Sequence, residues 1–330
     1  MNIKYIEGIE YGYFPFEYLV DFLKFIRNNG DIIEIITYDD LPWGEDFDSD
    51  NNYPQEYKNW KHQLSKRIRD KEKIYVLIQH DVDSSPERTM AILHEEERLG
   101  LPSNVMIFNR RINRKHLQKT GKLIYTDYVL DYNYLRQLQD NARFVIAYHS
   151  NAFDQALFNK EKALRIFEDD VKALREHFNI RFFSPHGGAP SPEGFSNNIL
   201  PIPESLKRSL RWVQNKQTVR FDGEYSDGGI NSPKRDPSQR DLREFVRKWK
   251  RGKRYRVLIH PQYYHTQYRP SPRLAGTPWY EDVLKFYNSK KCGTAWDDIQ
   301  LLALQESAGG KMSCLRATFK NITRRYHARR

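Results

Sequence analysis

Residues 74–86 read Ile74-Tyr75-Val76-Leu77-Ile78-Gln79-His80-Asp81-Val82-Asp83-Ser84-Ser85-Pro86. The stretch opens as an apolar run rich in β-branched and aromatic residues, the signature of a buried strand. It ends in an imidazole and two carboxylates, groups that are costly at the end of a buried strand unless a metal or a hydrogen-bond network satisfies them. Side chains alternate along a strand, so Asp81 and Asp83 share one side. Pro86 suits the first turn of a helix, with Ser84 or Ser85 as its cap. The unit is therefore strand, acidic turn, helix, with the acids at the strand's C-terminal end, where α/β enzymes keep their chemistry.

The same alternation extends in both directions. Upstream, 16–29 has helical apolar spacing and stops at Asn29-Gly30, 31–37 reads as a strand, and 57–73 as a charged helix. Downstream, strands are expected at 104–108, 143–149, 181–186, 218–221 and 255–260. Helices are expected at 86–99, 131–141, 160–178, 203–212, 238–251, 279–289 and 297–305, while 109–127 has no clear assignment. Strands alternating with helices argue for parallel βα units. Roughly seven such units suffice for a closed or nearly closed barrel. No linker divides the body, so one domain over 1–306 and a basic tail over 307–330 are expected.

Composition narrows the classes. Of 330 residues, 39% are hydrophobic and 14% aromatic, enough for a packed core. No run approaches the ~18 apolar residues of a membrane span, and the N-terminal MNIKYIEGIEYGYF lacks the apolar core of a signal peptide; a cytoplasmic location is expected. The two cysteines, Cys292 and Cys314, form no zinc-type spacing. The net charge is +11, but residues 311–330 hold seven basic residues and no acid, leaving +4 for the first 310. The body is too mildly basic for a nucleic-acid partner.

Four expected strands end alike, in Gln79-His80-Asp81, Tyr148-His149-Ser150, Pro185-His186-Gly187 and Ile259-His260-Pro261. In a parallel barrel these ends lie on one face, so Asp81, Asp83, His149, His186 and His260 converge although scattered in sequence. Imidazole and carboxylate ligands together suit zinc or a similar divalent ion.

This pattern resembles the polysaccharide deacetylase family, the NodB-homology carbohydrate esterases, and within it the subgroup with a His-Asp-Val-Asp first motif found among bacterial surface-polysaccharide biosynthesis proteins. The resemblance runs in motif order over about residues 74–265. His80-Asp81-Val82-Asp83 is similar to the first motif, Ala147-Tyr148-His149-Ser150 to the second and Ser184-Pro185-His186-Gly187 to the third. Tyr225-Ser226-Asp227-Gly228 is similar to the fourth and Leu258-Ile259-His260-Pro261 to the fifth. The sequence departs from the family at three positions. The second motif's further metal histidine is Phe153, with Asp154 beside it, and His186 stands where the third motif has tyrosine. The third-motif arginine is Phe183.

The resemblance implies a distorted (β/α)7 barrel and a metal-dependent hydrolase that removes an acyl group, N-acetyl foremost, from a sugar or glycan precursor. It implies Asp81 as base and His260 as catalytic acid, a zinc-type ion on Asp83, His149 and either His186 or Asp154, with His186 favoured, and His80 and Asp227 as substrate contacts. The roles of Asp81 and Asp83 are open to exchange. Two other readings compete: a glycosyltransferase using Asp81-Val82-Asp83 as an Asp-x-Asp motif, which leaves the histidines without a role, and a carbohydrate-binding relative that has lost the metal. In the tail, Met312, Leu315, Phe319, Ile322 and Tyr326 fall at helical spacing among basic residues. Either peripheral contact of 309–330 with an anionic membrane or packing on the barrel is expected.

Overall fold

The computed structural model describes residues 13–41, 43, 72–188, 191, 195–213, 221–228 and 241–266. The expected helices at 279–289 and 297–305, the tail, and all but the last two residues of the helix expected at 57–73 lie outside these residues. The 74–86 stretch forms the central strand, β3 (Ile74–Asp81), buried along its whole length. Around it a curled parallel sheet runs in the order β10 (Gly223–Ser226), β11 (Arg254–Ile259), β3, β4 (Asn104–Ile107), β7 (Val145–Ser150), β8 (Phe182–Pro185) and β9 (Arg211–Trp212). The strand β2 (Ile33–Ile36) also pairs with β3, and the two-residue β1 (Phe14–Pro15) pairs with β12 (Tyr264–His265).

β2 and β4 share one edge of β3. β2 pairs with Ile74 to Leu77 and β4 with Gln79 to Asp81. Between them Ile78 has no ladder partner on that side. Asn104 fills the gap: its Nδ2 donates to the Ile78 carbonyl at 2.8 Å, and its Oδ1 accepts from the Tyr38 amide at 2.9 Å. A buried carbonyl left alone would be costly, so the asparagine side chain completes the ladder.

The two-residue period of the strands sorts the core. On one face, Tyr75 and Leu77 pack with Met106, Ala147, Phe182 and Tyr38. On the other, Val76 and Ile78 meet Phe22 and Ile26 of α1 (Phe16–Asn28), and Ile146 and Tyr148 meet Phe167 and Val171 of the helix Lys160–Arg175. The helices thus cover the outer face and leave the inner face to carry polar groups at its C-terminal edge. Ser85 occupies the cap of the helix Pro86–Leu99, but through its carbonyl, which accepts from the Arg88 and Thr89 amides, and not through its hydroxyl.

Several expectations change. Pairing between β9 and β10, which would close a barrel, is not seen among the described residues. The expected helix at 203–212 is a single tight turn, Glu204–Leu206, followed by β9, because Arg211 and Trp212 pair with β8. The helix expected at 238–251 is Leu242–Val246 within the described residues. The strand expected at 218–221 falls largely outside them, and β10 begins at Gly223, where a Cβ would come within 3.0 Å of the Tyr255 ring on β11. The unassigned 109–127 segment is a short antiparallel pair, β5 (Arg111–Ile112) with β6 (Tyr125–Thr126), around the helix Arg114–Thr120.

Candidate metal centre and catalytic groups

All neighbouring strands from β10 to β9 are parallel, so the ends that carry His149, His186, Asp227, His260 and the Asp81–Asp83 turn gather along one edge. Three of these groups meet. The Asp83 Oδ1 lies 3.2 Å from His149 Nε2 and 3.5 Å from His186 Nε2. One ligand atom from each of the three residues falls within 4.8 Å of the others, a spacing that suits a single ion. The other nitrogen of His149 faces Ser184, its ladder neighbour on β8, with Nδ1 at 3.1 Å from the carbonyl and 2.9 Å from Oγ. A carbonyl only accepts, so Nδ1 carries the hydrogen and Nε2 is the nitrogen that faces Asp83, the orientation found in metal-ligating histidines. Asp83 Oδ1 and His149 Nε2 are buried atoms without a hydrogen-bond partner. The donor set, two imidazoles and a carboxylate, fits zinc or a similar divalent ion.

The electrostatics agree. Burial disfavours the Asp83 carboxylate, but the imidazoles of His186, His149 and His260 reverse this and hold it well below the usual carboxylate range. Burial also pulls His149 down, but Asp81 and Asp83 outweigh it and raise it, so this point favours positive charge. His186 is pushed down to about 3, chiefly by burial and against the pull of Asp83, and is neutral at pH 7, the form that ligates a metal. Phe108, just past β4, stacks on His149 with ring centroids 4.9 Å apart and meets His186 edge-on at 5.1 Å.

Asp81 stands next to this group, its Oδ2 3.9 Å from His149 Nε2. Its Oδ1 accepts from Gln79 Nε2 at 2.6 Å, and the Gln79 Oε1 accepts from the Tyr38 hydroxyl at 2.5 Å. Tyr38 is pushed up to about 12 by burial, with Arg256 opposing, and stays a neutral donor. That donor fixes which way the Gln79 amide points, so Gln79 can only donate to Asp81. Arg256 in turn donates to Glu224 on the neighbouring strand at 2.5 Å. This buried chain runs along the inner face of the sheet and holds one oxygen of Asp81 while leaving the other toward the site.

His260 is bound twice to Asp227. Its amide donates to Oδ2 at 2.7 Å, and its Nδ1 contacts Oδ1. Burial alone would lower the imidazole, but Asp227 dominates and pushes it up to about 10, so it is protonated at neutral pH. Gln262, two residues on, donates to Asp83 Oδ2 at 3.2 Å and links the β11 loop to the triad.

Two expected substrate contacts are corrected. His80 points to the outer face, as the period of two requires between Gln79 and Asp81. It has no exposed surface, and its Nε2 lies 2.8 Å from Glu96 of the helix Pro86–Leu99, whose other oxygen accepts from Ser103. Asp227 is likewise without exposed surface, and its carboxylate is engaged by His260. Of the two candidates for the third ligand, His186 joins the group and Asp154 does not: Asp154 pairs with Arg114 Nε at 2.8 Å. Phe153 is buried against Phe158 and Phe195.

Sequence reasoning missed Gln79, although a lone polar residue two before Asp81 in an apolar strand is a legible signal. It also missed Phe108 and Gln262, which carry none. Comparison of the chain with protein-family models, with curated proteins and with solved structures found no significant match.

Proposed function

We propose that the chain is a metal-dependent hydrolase that removes an acyl group, N-acetyl foremost, from a sugar or glycan precursor, and that its sheet belongs to a distorted (β/α)7 barrel of the NodB-homology type. The observation that carries this is the convergence of Asp83, His149 and His186 on the same sheet edge as a positioned carboxylate, Asp81, and a protonated imidazole, His260. The motif order read in the sequence supports it.

Asp83, His149 and His186 would hold the ion, which supplies Lewis-acid polarisation of a carbonyl and lowers the pKa of water toward about 7. The remaining work falls to the chain. Asp81, with one oxygen held by Gln79, accepts the proton of the attacking water as the C–O bond forms. His260 gives its proton to the sugar nitrogen as the C–N bond breaks, and Asp227 stabilises the imidazolium until that transfer. The products are the free amine and a carboxylate such as acetate. Phe108 stacks on the His149 imidazole and meets that of His186 edge-on, packing both in place.

The test has two arms. Elemental analysis should find about one divalent ion per chain, lost in Asp83→Ala and His149→Ala and kept in Asp154→Ala. Acetate release from N-acetylated sugars, assayed beside transfer from nucleotide sugars, should fall by ~10²–10⁴ in Asp81→Asn with the ion retained. A protein that takes up no zinc, or an Asp81→Asn variant as active as the parent, would sink the reading.

A further inference from the structure

Beside the triad lies a cavity of about 380 Å³ that no role has yet been given. Asp83, His186 and Phe108 line it together with Arg111, Lys115 and Thr126. The size sits at the low end of the ~300–1,000 Å³ of small-molecule sites and suits one sugar unit with its substituents better than a long glycan.

Its charge is not balanced. Asp83 is the one acid among its lining residues and belongs to the ion site. Arg114 also lines it but is committed, through Nε to Asp154 and through Nη1 to the Gly187 carbonyl at 2.7 Å. Arg111 is committed only in part. Its Nε donates to the Asp83 carbonyl at 2.7 Å and its Nη1 to Thr126 Oγ1 at 3.2 Å, while Nη2 donates to no group among the described residues. Lys115 is exposed and has no acidic partner among them. A guanidinium held through Nε and Nη1 in the cavity lining, with an exposed lysine in the same lining, offers donors that suit an oxyanion. A cleft lined by one sign of charge also concentrates ligands of the other.

We propose that this cavity binds an oxyanion carried by the substrate, a phosphate or a carboxylate on the sugar itself, with Arg111 and Lys115 as its recognition pair. The hydrolase reading is needed only to set the acyl group at the triad; the anion preference stands on the cavity. The class of reaction supplying this substrate would then be one that leaves a sugar phosphorylated or oxidised to an acid.

Calorimetric titration of the full-length protein with three probes tests this: N-acetylglucosamine, N-acetylglucosamine 1-phosphate and glucuronate. At least one charged probe should bind tenfold or more tightly than the neutral sugar, and the preference should shrink with added salt. Which charged probe wins separates phosphate from carboxylate. Lys115→Glu, at an exposed position, should weaken the preferred charged probe at least tenfold and the neutral one less than twofold, with Lys115→Gln intermediate and all melting temperatures unchanged. Equal binding of neutral and charged probes would overturn the proposal. So would charged-probe affinity unchanged in both Lys115 variants, which would mean that any anion is held by the ion site alone. Because binding is read without turnover, loss of the hydrolase reading leaves this result intact, and the converse also holds.

Discussion

At the scale of single residues, the side chain that decides most about Asp81 is Gln79. Replacing it with leucine removes the donor that Asp81 Oδ1 has among the described residues and takes from the Tyr38 hydroxyl its Gln79 acceptor. Each buried polar group left alone costs about 1–3 kcal/mol. Gln79→Leu should therefore melt earlier, and because Asp83, His149 and His186 are untouched it should keep its metal. With the base unanchored, turnover should fall tenfold or more at nearly constant KM. Metal loss in Gln79→Leu, or a KM rise that accounts for the whole defect, would speak against a positioning role. Asp83, His149, His186 and His260 were legible in the sequence because each closes an apolar strand, and parallel strands put their ends together. The role of His80 was misread from the same motif. Its neighbours face the site, and alternation alone places it on the helix side beside Glu96, a partner sixteen residues away that no local pattern announces.

At the scale of elements, β10 and β11 act as a unit whose product is one protonated imidazole. A Cβ on Gly228 would lie 3.0 Å from His260 Cε1 and 3.3 Å from Ser226 Oγ. Gly228→Ala should displace the His260 ring, and the expected outcome is loss of most acetate release with unchanged metal content. The pair also sets a pH dependence. The folded His260 is raised to about 10 from its ordinary 6.5, chiefly by Asp227 against burial. Its contribution to stability is complete below about 6.5 and disappears as pH climbs through about 10. In metal-stripped protein, urea unfolding of the parent and of Asp227→Asn should differ most at pH 6 and converge near pH 10. A gap that widens with pH would reverse the assigned sign. The sequence showed β11 and the His260 that follows it, but put the preceding strand at 218–221, short of β10. It did not show that β2 and β4 divide one edge of β3, because the residue that makes this possible, Asn104, acts through its side chain on the Ile78 carbonyl and the Tyr38 amide. Nor did it show whether the sheet closes, since strand pairing is a long-range property that periodicity does not carry.

At the scale of the whole molecule, an ion held by the triad would act as a cross-brace. Its three ligands come from the end of β3, from β7 and from the end of β8, with β4 lying between the first two. An ion bound only by the folded chain should stabilise it by about 2.7 kcal/mol at a free concentration 100 times its Kd. Zinc should thus raise the melting temperature of the parent and leave that of Asp83→Ala unmoved; an equal rise in both would place the ion elsewhere. The order in which the ligands occur along the chain has a consequence during synthesis. Asp83 leaves the ribosome about 100 residues before His186, and His260 follows about 70 residues later, so at about 5–20 residues per second the nascent chain spends ~5–20 s with only part of the ion site in existence. It then spends ~4–15 s more with all three candidate ligands made but the proposed proton donor, His260, still unmade. Such a chain would acquire the means to hold its ion before it acquires the means to use it.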